Sequence, residues 1–475
     1  MNIEDGSIRR CIANNPGVAL QTYEWFVGDV EQRREARSRF LNDQIVNPEG
    51  FYPRLDNVDE LQQMDDELSH LRQMVESSDM DHAERDAYDC TLAYRQQEID
   101  FLVTASELNR PENDDSLETS ASDFNQRSRE LYGRPQPSLV DGVVGEIRNK
   151  FNQKNFVGRA VELHDEINQT LDELVTNSDI TGLPALSKNA EVYLTEQISR
   201  YFASERQAVT EVRKIMTNAG EVEFSPQRML EVFKRAISLR GYDGVGAKLV
   251  DDKLLSWSQN DRGVHVGRER ASIESDDSMW GIAVHELGVH GQRFVRGQQS
   301  AIPILGNGLF VSGEDSKNQN PDYLSFEEGI AGLYQSIASG SNHSGWTMAN
   351  FTHILNVALS EQGKSFRDVF EQNWKVRSLL ASNDGQLNDD IIEKSRVQAY
   401  DSVFRIFRGT PMHRLGALSI VATYNKDLAY LSGKVGAIQF WNNNAGNDDT
   451  FDFLLSGKFD PNNTRHAKIA RSANG

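Results

Sequence analysis

Two histidines and a glutamate fall inside six residues of an apolar segment, His285-Glu286-Leu287-Gly288-Val289-His290, and no other stretch constrains the fold as tightly. Imidazoles and a carboxylate are the ligand and base types of a zinc-activated water. If both imidazoles are to reach one ion, the backbone between them cannot be a regular α-helix. At roughly 100° per residue, positions five apart diverge by about 140°, whereas positions four apart stack. One extra residue must be absorbed. A single π-turn absorbs it, and Gly288, the poorest helix former in the segment, is the expected place. The segment therefore reads as a metal helix distorted near Leu287 to Val289, or as a chance cluster in a buried core.

Composition bounds the setting. The chain has 475 residues, enough for a large core and for one to three domains, and its apolar fraction of 38% is adequate to build one. A net charge of −21 argues against nucleic acid or an anionic membrane as partner, because the summed field repels phosphate. The two cysteines, Cys11 and Cys90, fit no metal or redox spacing, so a reducing, cytoplasmic compartment is expected and any zinc would have no thiolate ligand. The acidic start Met1 to Gly6 does not resemble a secretory signal. The apolar run near Leu415 to Tyr424 is far short of the ~20 residues that span a bilayer.

Three regions are expected. Residues 1–108 read as a helical region, with Leu61, Met64, Leu68, Leu71 and Val75 at helical spacing. Residues 109–138, rich in Ser, Asn, Asp and Pro, read as a linker or long loop. Residues 139–475 read as the catalytic domain, with Ser225-Pro226 predicting the start of a helix. Gly244 to Leu255 and Gly263 to Gly267 look like short strands just before the His285 helix. Strand, connector, metal helix is zincin order. The fold expected is α+β and predominantly α-helical: a zincin-like core with a small β-sheet preceding the metal-binding helix.

Catalytic zinc takes three protein ligands and leaves a fourth position to water. A glutamate of Ser325-Phe326-Glu327-Glu328-Gly329-Ile330-Ala331, on a second helix, would complete the set. The same residues admit another reading, since Ser325 with Glu328 three positions on also fits a capping box.

These two segments, with Phe404-Arg405-Ile406-Phe407-Arg408-Gly409 and Asn425-Lys426-Asp427-Leu428-Ala429-Tyr430-Leu431-Ser432-Gly433, occur in an order that resembles one family. It comprises the bacterial QEGLA-motif proteins and the animal microtubule-associated tyrosine carboxypeptidases. The likeness covers about residues 225–445, with a weaker echo in Asn47-Pro48-Glu49-Gly50-Phe51-Tyr52-Pro53. It implies His285, His290 and Glu328 as Zn2+ ligands and Glu286 as general base, Glu328 being preferred over Glu327 because it directly precedes the glycine. The segment after the metal helix departs from the family, since Arg293 is followed by Arg296-Gly297-Gln298-Gln299-Ser300 where the family tends to carry Arg-x-x-Asn-Gly-x-x-Gln. Dipeptidyl peptidase III, with His-Glu-Leu-Leu-Gly-His, is similar at the metal helix alone.

The activity implied is metallopeptidase chemistry, with a peptide or protein C-terminus as substrate. Tyr430 or His413 would hydrogen-bond the oxyanion, while Arg293, Arg405, Arg408 and Lys426 are candidates to bind a terminal carboxylate. Paired surface arginines would look the same in sequence. The alternative is a non-catalytic peptide-binding or regulatory protein with a degenerate or structural metal site. Glu286 separates the two, because a structural site has no use for a carboxylate beside its first ligand.

Overall fold

The helical periodicity of the N-terminal region is realised in the computed structural model, which describes residues 5–176, 182–251, 255–311, 322–340 and 346–474. Helix Val58–Glu76 buries Leu61, Leu68, Leu71 and Val75 and packs along His82–Asn109, whose first turn is capped by Asp81 accepting from the Glu84 N–H. Helices carry most of the chain, and a three-stranded sheet completes it. No described helix is long and apolar enough to cross a membrane.

The expected linker is a helix. Asp114–Tyr132 starts on a reciprocal cap between Asn113 and Ser116 and ends at Gly133, whose φ of 79° suits a residue without Cβ. Most of the Asn, Asp and Ser residues that suggested a loop are its cap and its exposed face, while Ser128 is buried and accepts the Asn425 N–H. Their unfavourable propensity, up to ~0.7 kcal/mol per residue, is outweighed by complete burial of Leu117 and Phe124 at about 2 kcal/mol each. Nor does this segment separate the regions on either side of it. Phe101, Tyr132 and Tyr424 meet in one aromatic cluster with Phe26, and the buried core runs from Ile8 to Ala473.

The strands fall where the turn residues place them. β1 (Gly246–Val250) pairs parallel with β3 (Gly263–Gly267), and β2 (Leu255–Ser258) pairs antiparallel with β3, so the order is β1-β3-β2. Within the expected Gly244 to Leu255 strand, residues 252–254 lie outside the described residues. β3 is central and buries Val264 and Val266; β2, an edge strand, packs on the helix that carries His285 and His290. Ser225 caps helix Pro226–Arg240 as expected, accepting from the Arg228 N–H.

Two segments distant in sequence meet in the fold. A Cβ on Gly50 would strike the Thr410 carbonyl and the Tyr52 ring, and the Asn47 side chain reaches Gly416 and accepts from the Arg367 N–H. The Asn47 to Pro53 segment is thus a packing partner of the stretch after Arg408.

Candidate metal centre

The helix that carries His285 and His290 begins on Ser275, which accepts from the Ser278 N–H, and runs as α-helix over Asp276–Ala283. From Val284 to Gly291 it becomes π-helix, then returns to α over Gln292–Gln299. A π-helix bonds residue i to i+5, so it stacks the positions that an α-helix would splay apart. His285 and His290 accordingly face each other with ring centroids 4.9 Å apart. Gly288 does more than loosen the turn: a Cβ there would lie 2.7 Å from the Phe202 ring, so glycine also admits the helix to its bed.

A second helix, Leu324–Ala338, carries both candidate glutamates. Ser325 is not its cap. Tyr323 holds the N-cap position, and Asp322 before it accepts from the N–H groups of Leu324 at 2.8 Å and Ser325 at 3.3 Å, so Glu328 is not tied into a capping box. The helix packs against Leu428–Asn444 through facing glycines, Gly329 and Gly433, where any Cβ would penetrate the opposing backbone. This close approach sets the two helices that bring Glu328 and Tyr430 to the site.

Glu328 Oε2 lies 3.9 Å from His285 Nε2 and 3.9 Å from His290 Nε2. Three donors at 2.0–2.1 Å from a tetrahedral ion would be about 3.4 Å apart, about half an ångström closer than these two separations. Glu286 also places an oxygen within 4.8 Å of ligand atoms on both histidines. Its surroundings give it a different task. Glu286 Oε2 accepts the Trp257 N–H of β2 at 2.8 Å, and burial, with Glu328 adding to it, pushes its carboxyl up to about 7. A base that titrates near neutrality suits proton transfer. Glu328 is the better third ligand.

The histidines are prepared differently. Burial, reinforced by the charge of His290, pushes His285 down to about 3 and keeps it neutral, the form that binds metal. Its Nδ1 makes no hydrogen bond of normal geometry, although Gln335 and the Ala331 carbonyl lie close enough to influence the ring. Burial pulls His290 down too, but its hydrogen bond to Glu327 and the charges of Glu328 and Glu327 outweigh that and raise it. Glu327 Oε1 takes His290 Nδ1 at 2.8 Å, which directs Nε2 to the centre. Burial alone would lift Glu327, yet Lys458 and Arg293, with His290, hold it well below the usual carboxylate range.

His285, Glu286, His290, Glu328, Arg405, Arg408, Lys426 and Tyr430 line one cleft of about 180 Å³. Arg293 does not. It is fully buried, donating to Glu327 at 2.6 Å and to the carbonyls of Gly457 and Phe459, so it supports the site from beneath and is no substrate contact. His413 is exposed and outside the cleft. Arg405 gives its fork to Asp427, with Nε at 2.7 Å and Nη2 at 2.8 Å, and its guanidinium lies 5.3 Å from the Tyr430 ring centroid. Arg408 and Lys426 line the cleft without an ion pair among the described residues, Lys426 lying over the Tyr23 ring at 4.4 Å. The sequence reading missed Glu327 and Lys458 as supports, and Gln21, Tyr23 and Gln259 as cleft residues. Only Glu327 had left a signal, a carboxylate beside a candidate ligand.

No protein-family model, curated protein or solved structure matches the chain. The functional reading rests on the geometry.

Proposed function

We propose that the chain is a zinc-dependent metallopeptidase with a zincin-like core, acting as a carboxypeptidase on a peptide or protein C-terminus. The observation that carries it is the equal 3.9 Å approach of Glu328 to both histidines, with Glu286 beside them and its Oε2 held by the Trp257 N–H of β2. Zinc bound by His285, His290 and Glu328 would acidify a water and polarise a carbonyl.

The protein's own groups do the rest. Glu286, with Oε2 fixed by Trp257, accepts the proton of the attacking water through its other oxygen and returns it to the leaving amine. Tyr430, whose ordinary ionisation is suppressed by burial and by Glu328, keeps its O–H and donates to the developing oxyanion. Arg408 and Lys426 supply positive charge for a terminal carboxylate, although burial weakens the charged state of each. The cavity is small beside the ~300–1,000 Å³ of a typical ligand pocket, which fits a chain end better than an extended segment.

Metal analysis of the purified protein, with peptide trimming followed by mass spectrometry, tests the reading. Stoichiometric zinc, loss of metal in Glu328→Gln and loss of trimming with retained metal in Glu286→Gln are expected. Amidated peptides should resist cleavage that their free acids undergo. Metal-free protein that hydrolyses no peptide in a library would refute it.

A further inference from the structure

The N-terminal segment enters the cleft. Gln21 and Tyr23 line the cavity that contains His285, Glu286, His290 and Glu328. They sit at the start of a single helical turn, Thr22–Trp25, whose neighbours anchor it firmly. Thr22 Oγ1 lies 2.7 Å from the Tyr424 hydroxyl and 2.9 Å from that of Tyr132. Trp25 is buried beneath the Arg54 guanidinium, 4.2 Å from its ring centroid, and the Leu20 carbonyl accepts from Arg95 at 3.1 Å. Thr22 and Trp25 face the core while Tyr23 faces the cleft, as residues of one turn must divide when one side is buried.

The Tyr23 side chain meets residues of the site. Its hydroxyl donates to Gln21 Oε1 at 3.1 Å, and the Lys426 ammonium sits 4.4 Å from its ring centroid. Burial, then the charges of Glu24 and Glu286, keep the hydroxyl protonated, and Ser256 lines the same cleft close enough to influence it. Ser256 precedes Trp257, whose N–H holds Glu286, so Tyr23 stands on the general-base side of the cleft. Tyr430 stands on the Glu328 side. A phenol oxygen that donates to Gln21 keeps its lone pairs for accepting from a ligand.

We propose that Tyr23 is a substrate-contacting residue, its phenol oxygen accepting a backbone N–H of the bound peptide on the Glu286 side of the scissile bond. The inference rests on the peptidase reading for the orientation of the ligand. It makes the N-terminal segment part of the substrate site and assigns Lys426 a second task, holding the Tyr23 ring by cation–π attraction.

The test is a chemical double-mutant cycle on the full-length, zinc-loaded protein in the Glu286→Gln background, where peptide binds without turnover. A panel of free-acid tetrapeptides, and their analogues N-methylated at one amide at a time, is titrated by calorimetry against that protein with and without Tyr23→Phe. One uncharged hydrogen bond is worth about 0.5–1.5 kcal/mol, so Tyr23→Phe should weaken the parent peptide about 2- to 10-fold. One N-methyl analogue should lose a similar factor against the protein that keeps Tyr23, and nothing further against the Tyr23→Phe variant, which has no phenol oxygen to lose. Gln21→Met, which releases the hydroxyl, should give a smaller loss at the same amide. Affinities within 1.5-fold for every peptide in both variants would overturn the proposal. Coupling at one amide in a protein whose Glu286-containing form cleaves nothing would leave the Tyr23 contact standing and remove the peptidase reading; cleavage without coupling would do the reverse.

Discussion

Glu327 Oε1 lies 2.8 Å from His290 Nδ1, and the same carboxylate receives Arg293 at 2.6 Å and Lys458 at 3.1 Å. One buried acid therefore orients a candidate metal ligand and pairs with two buried cations. Removing it should cost twice. Glu327→Gln should weaken zinc about 10- to 100-fold by chelator competition, because the imidazole loses its charged orienting partner. Glu327→Ala should also lower stability by about 3–5 kcal/mol in denaturant unfolding, since Arg293 is left buried without its counter-charge. Unchanged zinc affinity in the glutamine variant would assign Glu327 a purely structural role.

Two glycines on one helix should respond in opposite ways. Gly329→Ala drives a Cβ into the Gly433 backbone, next to Glu328, and should cost at least about 1–3 kcal/mol while weakening zinc. Gly332→Ala meets nothing within 4 Å and should be neutral or stabilising by up to ~1 kcal/mol, the propensity gain of a helix interior. Equal melting shifts in the two variants would contradict the close packing of the helices.

Tyr430→Phe tests the oxyanion donor. Loss of the hydroxyl should reduce kcat on the order of 10²-fold, with zinc content unchanged and KM nearly so. A change confined to KM would place Tyr430 among ground-state contacts.

Asp322 makes stability depend on pH. Burial pushes its carboxyl up to about 6, against about 4 for an unfolded chain. A raised folded-state value means that the folded chain holds the proton more tightly, so this contribution is full below pH ~4 and is lost as pH rises through about 6. Asp322→Asn can keep the bonds from Leu324 and Ser325 through its side-chain oxygen. Relative to wild type it should gain about 2–3 kcal/mol between pH 4 and pH 7.5. A constant difference across that window would show that Asp322 does not titrate with folding.

The five-residue spacing of His285 and His290 was legible in the sequence as a demand for a distorted helix, because helical geometry is local. Helix Val58–Glu76, the Ser225 cap and the strands before the His285 helix were legible for the same reason. Residues 114–132 were misread because the composition of a cap and an exposed face is that of a loop. Only the burial of Leu117 and Phe124 against distant helices distinguishes the two.

Ligand types, spacing and the place of Gly288 were thus written in the chain itself. Which glutamate meets the histidines was decided by tertiary structure, since Glu327 and Glu328 are neighbours in sequence and diverge in role only through what packs around each. Arg293 and Lys458 draw one into the core, and the Gly329 and Gly433 contact aims the other at the cleft. Tyr23 was beyond sequence reading altogether. Its place in the cleft with Glu286 depends on packing between segments far apart in the chain, and no local propensity encodes such a meeting.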